Sequence, residues 1–186
     1  AANGLAAWTA LHVLGLPDGA LSTAMRDVRV PGRMELVDEG QDFVAVVDYA
    51  HSPDSVERVV ASVEPDANGR RIVVLGCGGD RDREKRPVMG RIAAEWADIL
   101  FVTDDNPRSE DPASIRAAML AGITAPRGDV REIGDRRAAI SAAVGEAHSG
   151  DVVLILGKGH EPGQEIAGVV HPFSDREELS MALRST

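Results

Sequence analysis

Four short polar stretches carry most of the chemistry in this 186-residue sequence: "DYAHSPD", "GCGGDRDREKRP", "TDDNPRSEDP" and "GKGHEPG". Each follows directly on an apolar, β-branched run, so each sits where a strand would end. In "GCGGDRDREKRP" a glycine-rich turn precedes Arg81, Arg83, Lys85 and Arg86. Open backbone amides beside cations suit a carboxylate or a phosphate. In "VVDYAHSPDSV" Asp48 stands at a strand terminus ahead of a Ser52-Pro53-Asp54 helix start. There it can accept hydrogen bonds from a ribose or simply cap the turn, and His51 has both a structural and a catalytic reading. "LGKGHE" holds Gly157-Lys158-Gly159 without the spacing of the phosphate-cradling GxxxxGK[ST] loop, which occurs nowhere in the chain. "DDNPR" sets Arg108 after Asn106-Pro107, a rigid turn that aims the arginine. Asp, Asn, Gly and Pro are ordinary turn residues when taken singly. Four such stretches at strand ends point to a site.

The elements that must position them alternate in type. Runs at 43–50, 71–79, 98–105, 129–133 and 151–159 read as strands, and 54–63, 84–96, 112–121 and 136–147 read as helices between them. Residues 164–167 and 169–171 suit a late hairpin, 175–183 a final helix, and "EPDANGR" a surface loop. This alternation predicts a Rossmann-like, doubly wound α/β fold with a mostly parallel sheet covered on both faces. In such folds ligands collect outside the carboxyl ends of the strands. Residues 1–16 have the alanine and leucine pattern of an amphipathic helix without an N-cap, and a second helical piece covers 17–28. Pro31 and Gly32 break the pattern, so the expected division is a helical remnant over 1–30 and a complete domain over 31–186.

Composition limits the partners. A formal net charge of −10 with 44% hydrophobic residues argues against a general nucleic-acid or anionic-membrane surface, because those partners reward clustered cations. An anionic ligand must then be held locally. The single cysteine, Cys77, cannot form an internal disulfide, and neither a secretory signal nor an apolar run of about 18 residues is present. A cytoplasmic protein without membrane insertion is expected.

"ANGLAA", "PGRME", "VDYAHSPDSV", "GCGGDRDREKRP", "DDNPR" and "GKGHE" occur in this order, and from Asn3 to "HPFSDREEL" the chain resembles the C-terminal third of the Mur ligases. Within that family it is most similar to the branch that adds meso-diaminopimelate to UDP-N-acetylmuramoyl-L-alanyl-D-glutamate, and "DDNPR" sets it apart from the lysine-adding branch. The resemblance implies ATP-dependent amide formation in peptidoglycan synthesis, through an acyl phosphate on the D-glutamyl side chain and with Mg2+. It implies that residues 1–30 end a central ATP-binding domain and that 31–186 form the domain that brings the incoming amino acid. By that match Asn3 contacts adenine, Arg33 the ATP phosphates and Asp48 the ribose, with Tyr49 and His51 nearby. Arg81, Asn106, Arg108, Gly157 and Glu161 match the diaminopimelate-binding positions, whereas Lys158 and His160 receive no role. Arg108 then takes the distal carboxylate of diaminopimelate through two parallel hydrogen bonds, and Glu161 its ammonium.

The family's P-loop, modified lysine and magnesium ligands have no counterpart in these residues, so neither a catalytic residue nor a metal ligand is expected in this chain, and it should be inactive alone. Just after Glu161, "PGQEIAGVVHP" departs into a variable part of the family pattern. Two other readings are a different amide ligase of the superfamily, lysine-adding or folylpolyglutamate synthetase-like, and a non-catalytic ligand-binding module on the same fold. "DDNPR" is the wrong signal for the former.

Overall fold

The computed structural model describes residues 2–27 and 30–186, with the side chains of residues 2, 3, 26 and 27 outside the description. The chain divides into two units, Ala1–Val30 and Pro31–Thr186. In the first, α1 spans Ala2–Val13 and α2 spans Asp18–Asp27. The expected amphipathic helix is not what α1 forms. Its apolar residues are spread around the helix, and Leu5 and Val13 are 68% and 78% exposed. The physical reason lies in composition: Asn3, Thr9 and His12 are too few and too dispersed to make a polar face.

The second unit is built from β1 (Glu35–Leu36), β2 (Val44–Asp48), α3 (Pro53–Ser62), β3 (Arg71–Cys77), α4 (Lys85–Trp96), β4 (Ile99–Asp104), α5 (Pro112–Leu120), β5 (Asp129–Glu132), α6 (Arg136–Glu146), β6 (Val152–Leu156), β7 (Gly163–Ile166), β8 (Val169–Pro172) and α7 (Asp175–Arg184). Among the described residues these make a six-stranded sheet in the order β1-β2-β6-β3-β4-β5 and a two-stranded β7-β8 hairpin. All pairings in the large sheet are parallel except β1 with β2. The short antiparallel β1 covers one edge.

Strands β3 and β6 are buried along their full length, which explains why their sequences run apolar without alternation after Arg71, the first residue of β3. Alternate side chains still go to opposite faces. Val73, Leu75, Leu100, Leu154 and Leu156 pack with Val56, Val60, Met89 and Met119 from α3, α4 and α5. Ile72, Val74, Phe101, Val153 and Ile155 pack with Ile140, Val144 and Leu179 from α6 and α7. The helices start at sequence-encoded caps. Asp111 accepts a hydrogen bond from the Ser114 amide at 3.1 Å ahead of α5, and Asp135 accepts from the Ala138 amide at 2.9 Å ahead of α6. Pro53 and Pro112 occupy first-turn positions of α3 and α5, where a missing N–H costs nothing.

Two cores pressed on one sheet leave the carboxyl ends of the strands rigid. Cys77 belongs to the first core, beside Met89, and burial pushes its thiol up to about 12, so it is a packing residue.

Candidate amino-acid pocket

The strand order contains one reversal. From β3 the chain steps outward through β4 to β5, then α6 carries it back so that β6 lies between β3 and β2. A crevice opens at the carboxyl ends where such a reversal occurs. All four polar stretches meet there, around a cavity of about 300 Å3. Tyr49 and His51 enter from the end of β2, Gly78, Arg81, Asp82 and Lys85 from β3. The end of β4 contributes Asp105, Asn106 and Arg108, and that of β6 contributes Gly157 and Glu161. Ligand pockets run from about 300 to 1,000 Å3, so this one suits a free amino acid better than a nucleotide.

A hydrogen-bonded cluster forms one wall. Lys158 is fully buried and donates from Nζ to Asn106 Oδ1 at 2.9 Å, with Glu161 Oε2 at 3.4 Å. Asn106 donates from Nδ2 to the same Glu161 oxygen at 2.7 Å. Lys158 therefore sets the amide orientation of Asn106, and the two together anchor the Glu161 side chain at the cavity. Burial, reinforced by the Glu161 carboxylate, raises the Tyr49 phenol above its ordinary value.

The lining also carries cations, Arg81, Lys85 and Arg108. Arg108 donates from Nη1 to the Gly79 carbonyl at 2.7 Å, and among the described residues no partner falls to its Nη2. Gly79 is required there, since a Cβ would stand 1.9 Å from the Pro107 carbonyl oxygen. Lys85 donates to the His51 carbonyl at 2.8 Å and spans the β2 and β3 loops. Below the turn, Arg86 is buried and makes paired contacts with Glu110 at 2.8 and 3.0 Å, and Glu110 also accepts from the Asp80 amide. Asp80 accepts in turn from the Ser109 amide and hydroxyl. The glycine-rich turn and "DDNPR" thus form one braced unit.

Asp105 is the residue that motif reading passed over. It is 6% exposed, lines the cavity, and among the described residues has no donor on either carboxylate oxygen. Gly157 gives it room: at φ +119 a Cβ would lie 2.5 Å from Asp105 Oδ2. Its oxygens are not sealed off, since among the described residues the fully buried side-chain polar atoms without a partner are Arg71 Nε and Arg86 Nε; the Asp105 carboxyl is open to a cationic group entering the cavity. The only sequence signal was its position inside "DDNPR". Lys158, which motif reading left without a role, is the second such residue.

Burial pushes the Asp105 carboxyl above its ordinary value, with Arg136 and Lys158 offsetting part of the effect. The folded protein then binds this proton more tightly than the unfolded chain does. The group's contribution to stability is full below the ordinary carboxylate value of about 4 and is lost as pH rises through the raised folded value. Asp105→Asn should abolish that slope, leaving the variant relatively more stable than wild type above that window. Urea midpoints measured across pH check this; identical pH profiles for the two proteins would contradict it.

The nucleotide-assigned residues fall in several places. Tyr49 and His51 line the same cavity as the diaminopimelate-assigned set. Arg33 is exposed outside that cavity, with its guanidinium carbon 4.5 Å from the Tyr49 ring centroid. Asp48 is buried, and its Oδ2 accepts the Met34 amide at 2.7 Å, which ties the end of β2 to the turn ahead of β1. The side chain of Asn3 lies outside the described residues. Among the described residues no group of three or more His, Cys, Asp or Glu stands where it could hold a metal ion. Nor is any helix among them long and apolar enough to cross a membrane.

Fold and pocket together define a doubly wound α/β domain with a zwitterion-sized polar site at its switch point. The chain belongs to the Mur ligase family: residues 32–159 match the family described as "Mur ligase, glutamate ligase domain". Over 100% of its length it is 52% identical to the UDP-N-acetylmuramoyl-L-alanyl-D-glutamate--2,6-diaminopimelate ligase of Streptomyces coelicolor, and 51% identical to the ligase of the same name from Corynebacterium efficiens. It spans only 38% and 36% of those relatives' lengths. A solved structure of a ligase of that name superposes with a TM-score of 0.77 at 40% identity, covering 97% of this chain and 37% of that one.

Proposed function

We propose that this chain is the amino-acid-binding end of an ATP-dependent ligase that joins meso-diaminopimelate to UDP-N-acetylmuramoyl-L-alanyl-D-glutamate in peptidoglycan synthesis. The observation that carries the reading is one amino-acid-sized cavity lined by the guanidinium of Arg108 and the carboxylates of Asp105 and Glu161. Diaminopimelate has two amino-acid ends. One supplies the nucleophilic amine, and the other must be told apart from the bare ammonium of lysine. Arg108 takes the distal carboxylate, with the more exposed Arg81 adding positive charge. Asp105 and Glu161 take the distal ammonium, and Asn106 and Gly157 shape the wall. Lysine would leave Arg108 unpaired, and sites built around a polar substrate group reject analogues lacking it by about 10⁴ to 10⁵.

ATP supplies the phosphoryl group that activates the D-glutamyl carboxylate. Arg33, exposed and stacked on Tyr49, would meet its phosphates, and Asn3 and Asp48 its nucleoside. With diaminopimelate held at its far end, the near amine is presented to the activated carbonyl, and positioning supplies much of the rate. Since the chain contains no phosphate-cradling GxxxxGK[ST] loop, its 186 residues alone should form no product, and they should bind diaminopimelate weakly because one wall of a closing site supplies only part of the contacts. Amide-resolved NMR titration of the chain tests the site. meso-Diaminopimelate should shift the amides of residues 105, 106, 108 and 157–161, and shifts confined elsewhere would sink the assignment.

A further inference from the structure

Arg108 adopts φ +53, a left-handed conformation that a non-glycine residue holds only when its surroundings impose it. Pro107 does not impose it, because a proline ring fixes its own φ and restricts the residue before it. The imposing element is β7. The Arg108 amide donates to the Glu165 carbonyl at 2.9 Å, and the Ala167 amide donates to the Arg108 carbonyl at 2.7 Å, so Arg108 pairs in parallel with Ile166 as an added rung on the hairpin. The same strand reaches the two preceding residues. The Glu165 amide donates to Asn106 Oδ1 at 3.0 Å, and Gln164 donates from Nε2 to the Asp105 carbonyl at 2.8 Å. The Glu165 carboxylate lies 3.5 Å from Arg108 Nε, while Nη1 of the same guanidinium is held by the Gly79 carbonyl. Glu165 does not line the cavity itself.

We propose that the β7-β8 hairpin sets Arg108 for selection of the amino acid, and that Glu165 is a positioning residue acting through it. This rests on the function proposed above. The main chain of β7 fixes where the Arg108 backbone turns, and the Glu165 carboxylate fixes which edge of the planar fork stays turned toward the pocket. Because Glu165 lies in the stretch just after Glu161, variation there would tune selectivity without touching substrate.

The test is steady-state kinetics of the full-length ligase with meso-diaminopimelate, L-lysine and ATP, comparing wild type, Glu165→Ala, Glu165→Gln and Arg108→Ala. Glu165→Ala should raise the KM for meso-diaminopimelate by about fivefold, the scale of one partly exposed ion pair. Its kcat and its KM for ATP should stay as in wild type, and the preference over lysine should shrink. Glu165→Gln, which keeps an acceptor oxygen at the same reach, should recover part of the KM. An unchanged or lowered KM in Glu165→Ala, or an equal loss in all three parameters, would overturn the proposal. If Arg108→Ala loses selectivity while Glu165→Ala does not, only the hairpin inference falls. If wild type does not use meso-diaminopimelate, the functional reading falls and takes the inference with it.

Discussion

Arg108→Ala in the full-length ligase should lower kcat/KM for meso-diaminopimelate by at least about 100-fold while leaving the KM for ATP near wild type. The lost contact is a charge-assisted pair to a substrate carboxylate, at about 1.5 to 3 kcal/mol per hydrogen bond, and about 1.4 kcal/mol corresponds to tenfold. Lysine at this position should restore only part, because an ammonium keeps the charge but not the planar fork. It also cannot reproduce the bond that Arg108 makes to the Gly79 carbonyl while a second edge remains for the ligand. Removing the guanidinium should narrow the gap between meso-diaminopimelate and L-lysine, since lysine no longer leaves a cation unpaired. If Arg108→Ala retains wild-type efficiency, Arg108 is a turn residue and the pocket is misassigned.

The largest effect on stability is expected beneath the pocket. Arg136 and Asp175 are both fully buried and face each other through two contacts of 2.7 Å, Nε to Oδ1 and Nη2 to Oδ2. Arg136 also donates to the Leu156 carbonyl at 2.9 Å and the Asp104 carbonyl at 3.3 Å. One side chain thereby joins the start of α6, the start of α7 and the ends of β4 and β6. Arg136→Ala leaves the buried Asp175 side chain without the two contacts it makes here, and breaking such a pair costs about 3 to 5 kcal/mol. That is a large share of a typical domain's 5 to 15 kcal/mol or so. Replacing both partners with apolar residues, as in Arg136→Met with Asp175→Leu, should cost much less, because no charge is stranded. Urea denaturation of the three proteins decides the matter. A loss under about 0.5 kcal/mol for the single variant would place it among ordinary surface substitutions and contradict the buried-pair account.

The sheet was legible because its central strands are buried on both faces, which makes 72–77 and 152–156 apolar without alternation, and because helical stretches such as the one opened by Ser52-Pro53-Asp54 lie between the strands. The site was legible as four polar strand ends. What the chain did not disclose is the order in which the strands lie. Lys158 and Asn106 are 52 residues apart and meet only because β6 inserts beside β3. No spacing rule foretells that partnership, so Lys158 had no role in the motif alone. Asp105 was hidden for a related reason: adjacent residues at a strand end point to opposite sides, and only the fold shows that Asp104 pairs with Arg116 while Asp105 faces the cavity. The rigidity expected of Asn106-Pro107 is supplied chiefly by the hairpin and by the Asp80 and Glu110 braces. At α1 the alanine-rich pattern imitated an amphipathic helix because alanine fits either face.

The central claim is that this pocket selects a second amino-acid end. It is tested most directly by product formation from UDP-N-acetylmuramoyl-L-alanyl-D-glutamate and ATP with the full-length ligase, offered meso-diaminopimelate and L-lysine in separate reactions. The account predicts ready amide formation with meso-diaminopimelate and a kcat/KM for lysine lower by about 10⁴ or more. Comparable efficiency with the two amino acids would contradict it.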